Sequence, residues 1–394
     1  MSENATWLAR YGAAYMPNFG APARVLVRGK GCRVWDADGR EYLDLLAGIA
    51  VNSLGQAHPD VVAAVTDQIS TLGHISNLFT SLWQVRLAER LGAIATTNDP
   101  RLPARVFLCN SGSEANETAF KLSRRTGRTK IVAMEGSFHG RTIGAVSLTS
   151  NPKYREPFEP LPPGAVFVPY GDEAALEAAV DESTAAVILE TIQGESGIVP
   201  APDGFVAAAR RITRDAGALL WIDEVQTGIG RTGDWLSYLP TGVTPDVVTM
   251  AKGLAAGVPI GACVATGPAG ELLGPGLHGT TFGGNPLASR VGLTVLSVIE
   301  RDGLLDHVRR VGDHFADAVT GLGHPGIVGV TGRGLLRGVV LSAPVGARVT
   351  ARALEAGFLI NAPRPDRLRI APPLVITEAE LDTFVSALPT LLEE

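Results

Sequence analysis

Two residues in this sequence stand where a reactive pair would be built. Asp223 ends the apolar run Ala218-Leu219-Leu220-Trp221-Ile222, and Lys252 follows Val247-Val248-Thr249-Met250-Ala251. A carboxylate at one strand end can meet a cationic ring nitrogen, and an amine at another can condense with a carbonyl to give a Schiff base. Composition singles Lys252 out, because only five of the 34 basic residues are lysine. Arginine cannot do this chemistry: its guanidinium keeps its proton, whereas a lysine amine can lose one and attack. Taken alone, Lys252 also fits a stem packed at a strand end with its ammonium in water.

Five segments carry groups of the same kind. Asn110-Ser111-Gly112-Ser113-Glu114-Ala115-Asn116-Glu117 joins an apolar strand to a helical pattern. There a small-residue turn and the free amides of a first helical turn can hold an anion, although the spacing alone favours an ordinary cap. Gly136-Ser137-Phe138-His139-Gly140-Arg141-Thr142 offers Phe138 to cover a planar ring and Arg141 to grip a carboxylate. Asp223-Glu224-Val225-Gln226-Thr227-Gly228 places Gln226 to meet a ring oxygen, and Thr280-Thr281-Phe282-Gly283-Gly284-Asn285-Pro286 puts two hydroxyls ahead of a helix. Glu190-Thr191-Ile192-Gln193-Gly194-Glu195-Ser196-Gly197 supplies two carboxylates, one of which can neutralise an arginine, and Arg369 is the candidate partner. Alternation along Arg367-Leu368-Arg369-Ile370 points both arginines to one side.

The elements that position these residues follow from periodicity. Short apolar runs at 104–109, 130–133, 165–168, 185–190, 218–223, 247–250 and 260–265 alternate with segments of helical period. This predicts an α/β domain with a mainly parallel seven-stranded sheet, whose ligands sit beyond the carboxyl ends of the strands. Helical patterns over 286–301 and 304–322 precede strand-like runs at 335–341, 358–360 and 367–370, and the capping box Thr377-Glu378-Ala379-Glu380 opens a last helix. These predict a smaller α+β domain. An N-terminal meander, with the turn Ala37-Asp38-Gly39-Arg40, is placed to join it. The expected division is 1–60 as the segment joining the small domain, 61–295 as the large domain and 296–394 as the small domain.

Length and composition bound the reading. A chain of 394 residues with 45% hydrophobic and 19% charged residues can bury a large core and favours two lobes. A net charge of −6 argues against a nucleic-acid partner. No apolar stretch approaches the roughly 20 residues of a membrane span, and the polar start Met1-Ser2-Glu3-Asn4 has no signal-peptide character. A cytoplasmic protein is expected. Cys32, Cys109 and Cys263 are far apart and lack metal-ligand spacing, so neither a disulfide nor a metal is expected.

In order and spacing, the segments around Ser111-Gly112-Ser113, Phe138-His139-Gly140-Arg141, Gln193-Gly194-Glu195, Asp223-Glu224-Val225-Gln226, Ala251-Lys252-Gly253, Thr280-Thr281 and Arg369 resemble the class III aminotransferases. That family has fold type I and depends on pyridoxal 5′-phosphate, and the likeness spans nearly the whole chain. The resemblance implies that Lys252 carries the cofactor as a Schiff base and then moves the reacting proton, while Asp223 keeps the ring nitrogen protonated. It implies a cofactor site of Ser111, Gly112, Ser113, Phe138, Asp223, Glu224, Val225, Gln226, Lys252 and Thr281, with Thr281 reaching the cofactor of a second subunit in a homodimer.

Tyr15-Met16-Pro17-Asn18-Phe19-Gly20, Gly48–Gly55 and His74-Ile75-Ser76-Asn77-Leu78-Phe79 are most similar to the branch of the family that acts on N2-acetyl-L-ornithine with 2-oxoglutarate. Arg141, Thr280, Glu195 and Arg369 are then the substrate residues, the last two forming a switch: paired for an uncharged chain, separated for the α-carboxylate of glutamate. Phe79 departs from the tyrosine of many relatives. Ornithine, 4-aminobutyrate and succinylated amines are the alternative donors, and an aminomutase on the same fold would need no 2-oxoglutarate.

Overall fold

The structure, a computed structural model, describes residues 2–393. Strands β1 (Leu26–Lys30), β2 (Arg33–Asp36) and β3 (Glu41–Asp44) form the N-terminal antiparallel meander. The large sheet contains β4 (Ala104–Cys109), β5 (Lys130–Met134), β6 (Ala165–Val168) and β7 (Thr184–Leu189). A short hairpin follows, β8 (Ile192–Gln193) with β9 (Val199–Pro200), and then β10 (Leu219–Asp223), β11 (Val247–Met250) and β12 (Gly261–Thr266) complete the large sheet. Its order is β4-β12-β11-β10-β7-β5-β6, and only β12 runs against the rest. The seven expected runs thus form one sheet, mostly parallel as predicted.

The strands read as continuous apolar runs because both faces are buried. Leu220 and Ile222 of β10 join one core cluster, together with Val132 and Met134 of β5, while Trp221, Ile131 and Ala133 join the other. Ala119 and Leu122, from the helix Gly112–Arg124, belong to the Trp221 cluster. That alternation decides which way each residue at the end of β10 points.

The C-terminal part builds a second sheet of β13 (Ile327–Arg333), β14 (Leu336–Leu341), β16 (Asn361–Arg364) and β17 (Arg367–Ile370), in the order β13-β14-β17-β16. The two-residue β15 (Phe358–Leu359) pairs with β3 of the N-terminal meander in parallel. Both reciprocal bonds of the capping box form at Thr377, ahead of the helix Glu378–Leu392. Strand β13 is absent from the expected runs: Gly329 and Gly332 interrupt its pattern, and its sides are only half-buried. Between the parts lies Arg231, 2% exposed, whose guanidinium donates to the carbonyls of Leu335 and Pro372.

Candidate active site

The sheet gathers one cavity at a single edge. Asn110, Phe138, Glu190 and Lys252 follow the carboxyl ends of β4, β5, β7 and β11, Asp223 ends β10, and Ile260 precedes the reversed β12; all line a space of about 290 Å³. This is the strand-end crevice where α/β sheets bind ligands.

Asp223 is buried at the end of β10 on the Trp221 face, where the helix Gly112–Arg124 packs. Asn116, one turn into that helix, donates to Asp223 Oδ2 at 2.9 Å, and His139 Nδ1 donates to the same oxygen at 2.7 Å. The Val225 amide donates to Oδ1 at 2.9 Å. Three donors and a helix fix this carboxylate in the cavity wall. Buried His139 Nε2 and Asn116 Oδ1 have no partner among the described residues, which leaves polar capacity beside Asp223.

Lys252 takes a left-handed backbone with φ of 42°, a conformation that costs a non-glycine residue of order 1–3 kcal/mol. Among the described residues no hydrogen bond or ion pair engages its amine. Burial lowers its pKa from the usual lysine value, with Arg369 acting in the same direction and Glu195, Asp223 and Glu190 opposing. An amine enclosed in this way loses its proton more readily than one in water.

The first turn of the helix Gly112–Arg124 opens into the cavity through Ser111, Gly112 and Ser113. The Ser111 hydroxyl is spent as the N-cap, accepting from the Glu114 amide at 3.2 Å. Gly112 is required by contact, since a Cβ there would lie 2.6 Å from Val225 Cγ1. Free amides and the Ser113 hydroxyl remain for an anion.

Beside this cavity lies a second, lined by Phe138, Tyr154, Lys153, Glu195 and Arg364 among others, with Phe138 shared between the two. Arg369, 1% exposed on β17, donates to Glu195 Oε1 at 2.5 Å, to Gln226 Oε1 at 3.1 Å and to Asn361 Oδ1 at 3.0 Å. Burial alone would raise the Glu195 carboxyl, but Arg369, with smaller help from Lys252 and Gln226, offsets it and the pKa falls below the ordinary value. The Arg141 guanidinium sits 3.6 Å from the Tyr154 ring centre, and that ring meets Phe138 edge-on.

Not every expected residue comes to the cavity. Glu224 was expected among the cofactor residues, but it follows Asp223 by one position and therefore points to the opposite face of the sheet. There its carboxylate accepts from Ser237 Oγ at 2.6 Å, Thr227 Oγ1 at 2.5 Å and the Tyr238 amide at 3.1 Å. Thr280 accepts from Asn110 Nδ2 at 3.2 Å, whereas Thr281 is exposed and lies outside its own chain's cavity. Asn116, His139 and Glu190 were given no individual role in the sequence, although all three lie within the motifs singled out there. Their signal was position alone: one helical turn beyond an anion-binding turn, between Phe138 and Arg141, and at a strand end.

Pyridoxal 5′-phosphate fits these donors. The helix amides suit its phosphate, Asp223 its ring nitrogen, Lys252 its aldehyde, and the unpartnered His139 and Asn116 atoms lie on the polar side of the cavity.

The comparisons with known proteins agree. A family model described as Aminotransferase class-III matches residues 15–392. A protein named acetylornithine aminotransferase from Mycolicibacterium smegmatis is 54% identical, over 98% of this chain and 98% of its own. The N-acetylornithine aminotransferase structure from Stenotrophomonas maltophilia superposes with a TM-score of 0.82 at 37% identity, covering 95% of this chain and 97% of that one. The ornithine aminotransferase of Toxoplasma gondii superposes with a TM-score of 0.93 at 33% identity, covering 100% and 95%. With a strand-end lysine, an anchored aspartate and an anion-binding helix turn in one cavity, the chain belongs to the class III aminotransferases, which depend on pyridoxal 5′-phosphate.

Proposed function

We propose that this enzyme transfers the δ-amino group of N2-acetyl-L-ornithine to 2-oxoglutarate, giving N-acetyl-L-glutamate 5-semialdehyde and L-glutamate, a step of arginine biosynthesis. The observation that carries the reading is the Arg369–Glu195 pair next to the Lys252 cavity. Closed, the pair presents a neutralised wall to the methylene chain of an ω-amine. Opened, Arg369 offers a bidentate guanidinium to the α-carboxylate of glutamate. One enzyme can thereby take an amine at a side-chain end and return it at an α-carbon. The relatives named for acetylornithine support the choice of donor.

The bound cofactor supplies a carbonyl carbon for amine exchange and a ring that withdraws electrons. The protein's own groups do the rest. Lys252, with its lowered pKa, is the nucleophile that holds the cofactor and, once released, the base and acid that moves the reacting proton. Asp223, fixed by His139 and Asn116, holds a proton on the ring nitrogen. Gly112 and Ser113 would bind the phosphate, Phe138 and Val225 would line the place of the ring, and Gln226, which accepts from Arg369, would meet the ring oxygen. Arg141, seated on Tyr154, receives the carboxylate of the acetylated substrate, and Thr280 is a second contact for that substrate.

The same reading makes the enzyme a cytoplasmic homodimer. Leu78 (86% exposed), Phe79 (73%) and Phe282 (59%) leave a broad apolar surface in the neighbourhood where His74 meets the Phe282 ring and Asn77 donates to the Thr280 carbonyl. Contiguous exposed apolar area of this kind marks an association surface, and Thr281 lies within it, placed to serve a second subunit's phosphate. Among the described residues no helix is long and apolar enough to cross a membrane.

The deciding experiment compares glutamate formation from 2-oxoglutarate with N2-acetylornithine, ornithine and 4-aminobutyrate as donors. A preference of about a hundredfold in kcat/KM for the acetylated donor, roughly 2.7 kcal/mol of transition-state discrimination, is the expected result. A preference for free ornithine, the second reading and the one favoured by the Toxoplasma superposition, keeps the chemistry and overturns the substrate.

A further inference from the structure

Two loops meet at the cavity edge, and three contacts stitch them. One follows β5 and carries Phe138; the other follows β8 and carries Glu195. Gln193 Nε2 donates to the Glu135 carbonyl at 2.7 Å, and Ser196 Oγ donates to the Gly136 carbonyl at 2.8 Å. The third contact is of a different kind. Glu190, at the end of β7 and 5% exposed, accepts from the Phe138 amide through Oε1 at 3.1 Å and from the Gly194 amide through Oε2 at 3.2 Å. It is the one carboxylate of the three contacts, and it also lines the cavity. Each amide belongs to, or directly precedes, the residue whose placement matters: Phe138 itself, and Glu195 after Gly194. The β7 end is in turn anchored by the Tyr170 hydroxyl, which donates to the Glu190 carbonyl at 2.7 Å.

We propose that Glu190 is a positioning residue which, by bridging these two amides, makes the Phe138 loop and the Glu195 loop one rigid unit, so that the cavity wall facing the cofactor ring and the Arg369–Glu195 pair are set together. The inference rests on the function proposed above. A buried carboxyl group is kept at such a place only if its acceptor capacity is used, and two bonds from backbone amides use it, the more strongly where the group is ionised. Losing the bridge frees the Gly194–Glu195 segment, loosens the grip on Arg369 and leaves a bare guanidinium facing the uncharged chain of the ω-amino donor. Glutamate and 2-oxoglutarate bind that guanidinium directly and are affected least. The bridge therefore selects between the two half-reactions.

The test uses holoenzyme of the wild type, Glu190→Gln and Glu190→Asp, with hydrogen–deuterium exchange and single-turnover kinetics of each half-reaction. Glutamine offers one acceptor oxygen and turns an amide donor on the other N–H, while aspartate keeps the charge but is a methylene too short to span both. In both variants, exchange in the peptides covering Phe138 and Gly194 is expected to rise together, by about tenfold, with the Thr280 segment unchanged. The acetylornithine half-reaction is expected to lose about tenfold in kcat/KM and the 2-oxoglutarate half-reaction less than about threefold. Exchange rising in one loop only, both half-reactions falling in step, or wild-type behaviour of Glu190→Asp would overturn the coupling. If Glu190→Gln does not yield folded holoenzyme, Glu190→Asp carries the same readouts. A wild type that transaminates none of the donors would overturn the functional reading instead, and the exchange data would still decide on the bridge.

Discussion

At the residue scale, the cavity sets different demands on Lys252, Asp223 and Glu190. Replacing Lys252 with alanine removes the nucleophile and the proton carrier together, yet leaves the helix amides that hold the phosphate. Turnover is expected to fall by at least about a thousandfold while the cofactor is still retained, which absorbance after desalting would report. Asp223→Asn keeps an acceptor for His139 and Asn116 but removes the charge. A drop in kcat of about a hundredfold with little change in melting temperature is expected, and equal kcat would rule out the charge as the relevant property. Asp223→Ala is less informative, because it would also strand two buried donors at about 1–3 kcal/mol each. Glu190 gives the pH dependence. Burial pushes its carboxyl up from 4.5 to about 7, opposed by His139 and reinforced by Asp223; Lys252 and Tyr170 are the other titratable groups that face it. A folded-state value above the unfolded one means that the folded chain holds the extra proton between about pH 4.5 and 7. The stability linked to it is complete below that window and is lost as the pH rises through it, by roughly 3 kcal/mol at most. In the cofactor-free protein, the melting temperature of Glu190→Gln relative to wild type should therefore be higher at pH 8 than at pH 5 by a few degrees; a pH-independent difference would refute the assignment.

At the scale of elements, the helix Gly112–Arg124 shows why one glycine and one face matter. Its first turn lies against Val225, so Gly112→Ala must push the turn away by forcing a methyl to within 2.6 Å of Val225 Cγ1. Overpacking of that kind costs about 1–3 kcal/mol. Because the turn is the proposed phosphate cradle, the expected loss is about tenfold or more in cofactor affinity, measured by titrating cofactor into the cofactor-free variant. The same elements show what the sequence could reveal. The seven large-sheet strands were legible because each is a short apolar run bounded by turn residues, and the last helix because Thr377 and Glu380 satisfy each other's backbone amides. Strand β13 was hidden by its glycines and half-exposed sides. Glu224 was misplaced for a related reason: adjacent carboxylates look equivalent in a motif, but the pleat sends Asp223 to the Asn116 face and Glu224 to Ser237 and Tyr238. The Glu190 bridge was illegible, because its partners are backbone amides of two loops that only the folded sheet brings together.

At the scale of the whole molecule, the single chain leaves Leu78, Phe79 and Phe282 exposed and Thr281 outside its own cavity, and the proposed homodimer would cover the first three and bring Thr281 to a neighbour's cavity. Sedimentation velocity should find a dimer, and Leu78→Asp, which puts a charge on that apolar surface, should yield monomers with little activity. Completion across the interface makes a sharper prediction. In the proposed dimer, Lys252→Ala would disable the cavity of the chain that carries it, whereas Thr281→Glu, by setting a carboxylate against the phosphate, would disable the cavity of the partner. Mixed dimers of the two variants then contain one site with both defects and one with neither. Activity should reappear when the two inactive proteins are unfolded and refolded together, and should be absent when they are merely mixed without subunit exchange. If Thr281 served its own chain, each site of the mixed dimer would carry one defect and no activity would return. The recovery experiment thus separates a dimer that only buries apolar surface from one whose two cavities are built from both chains.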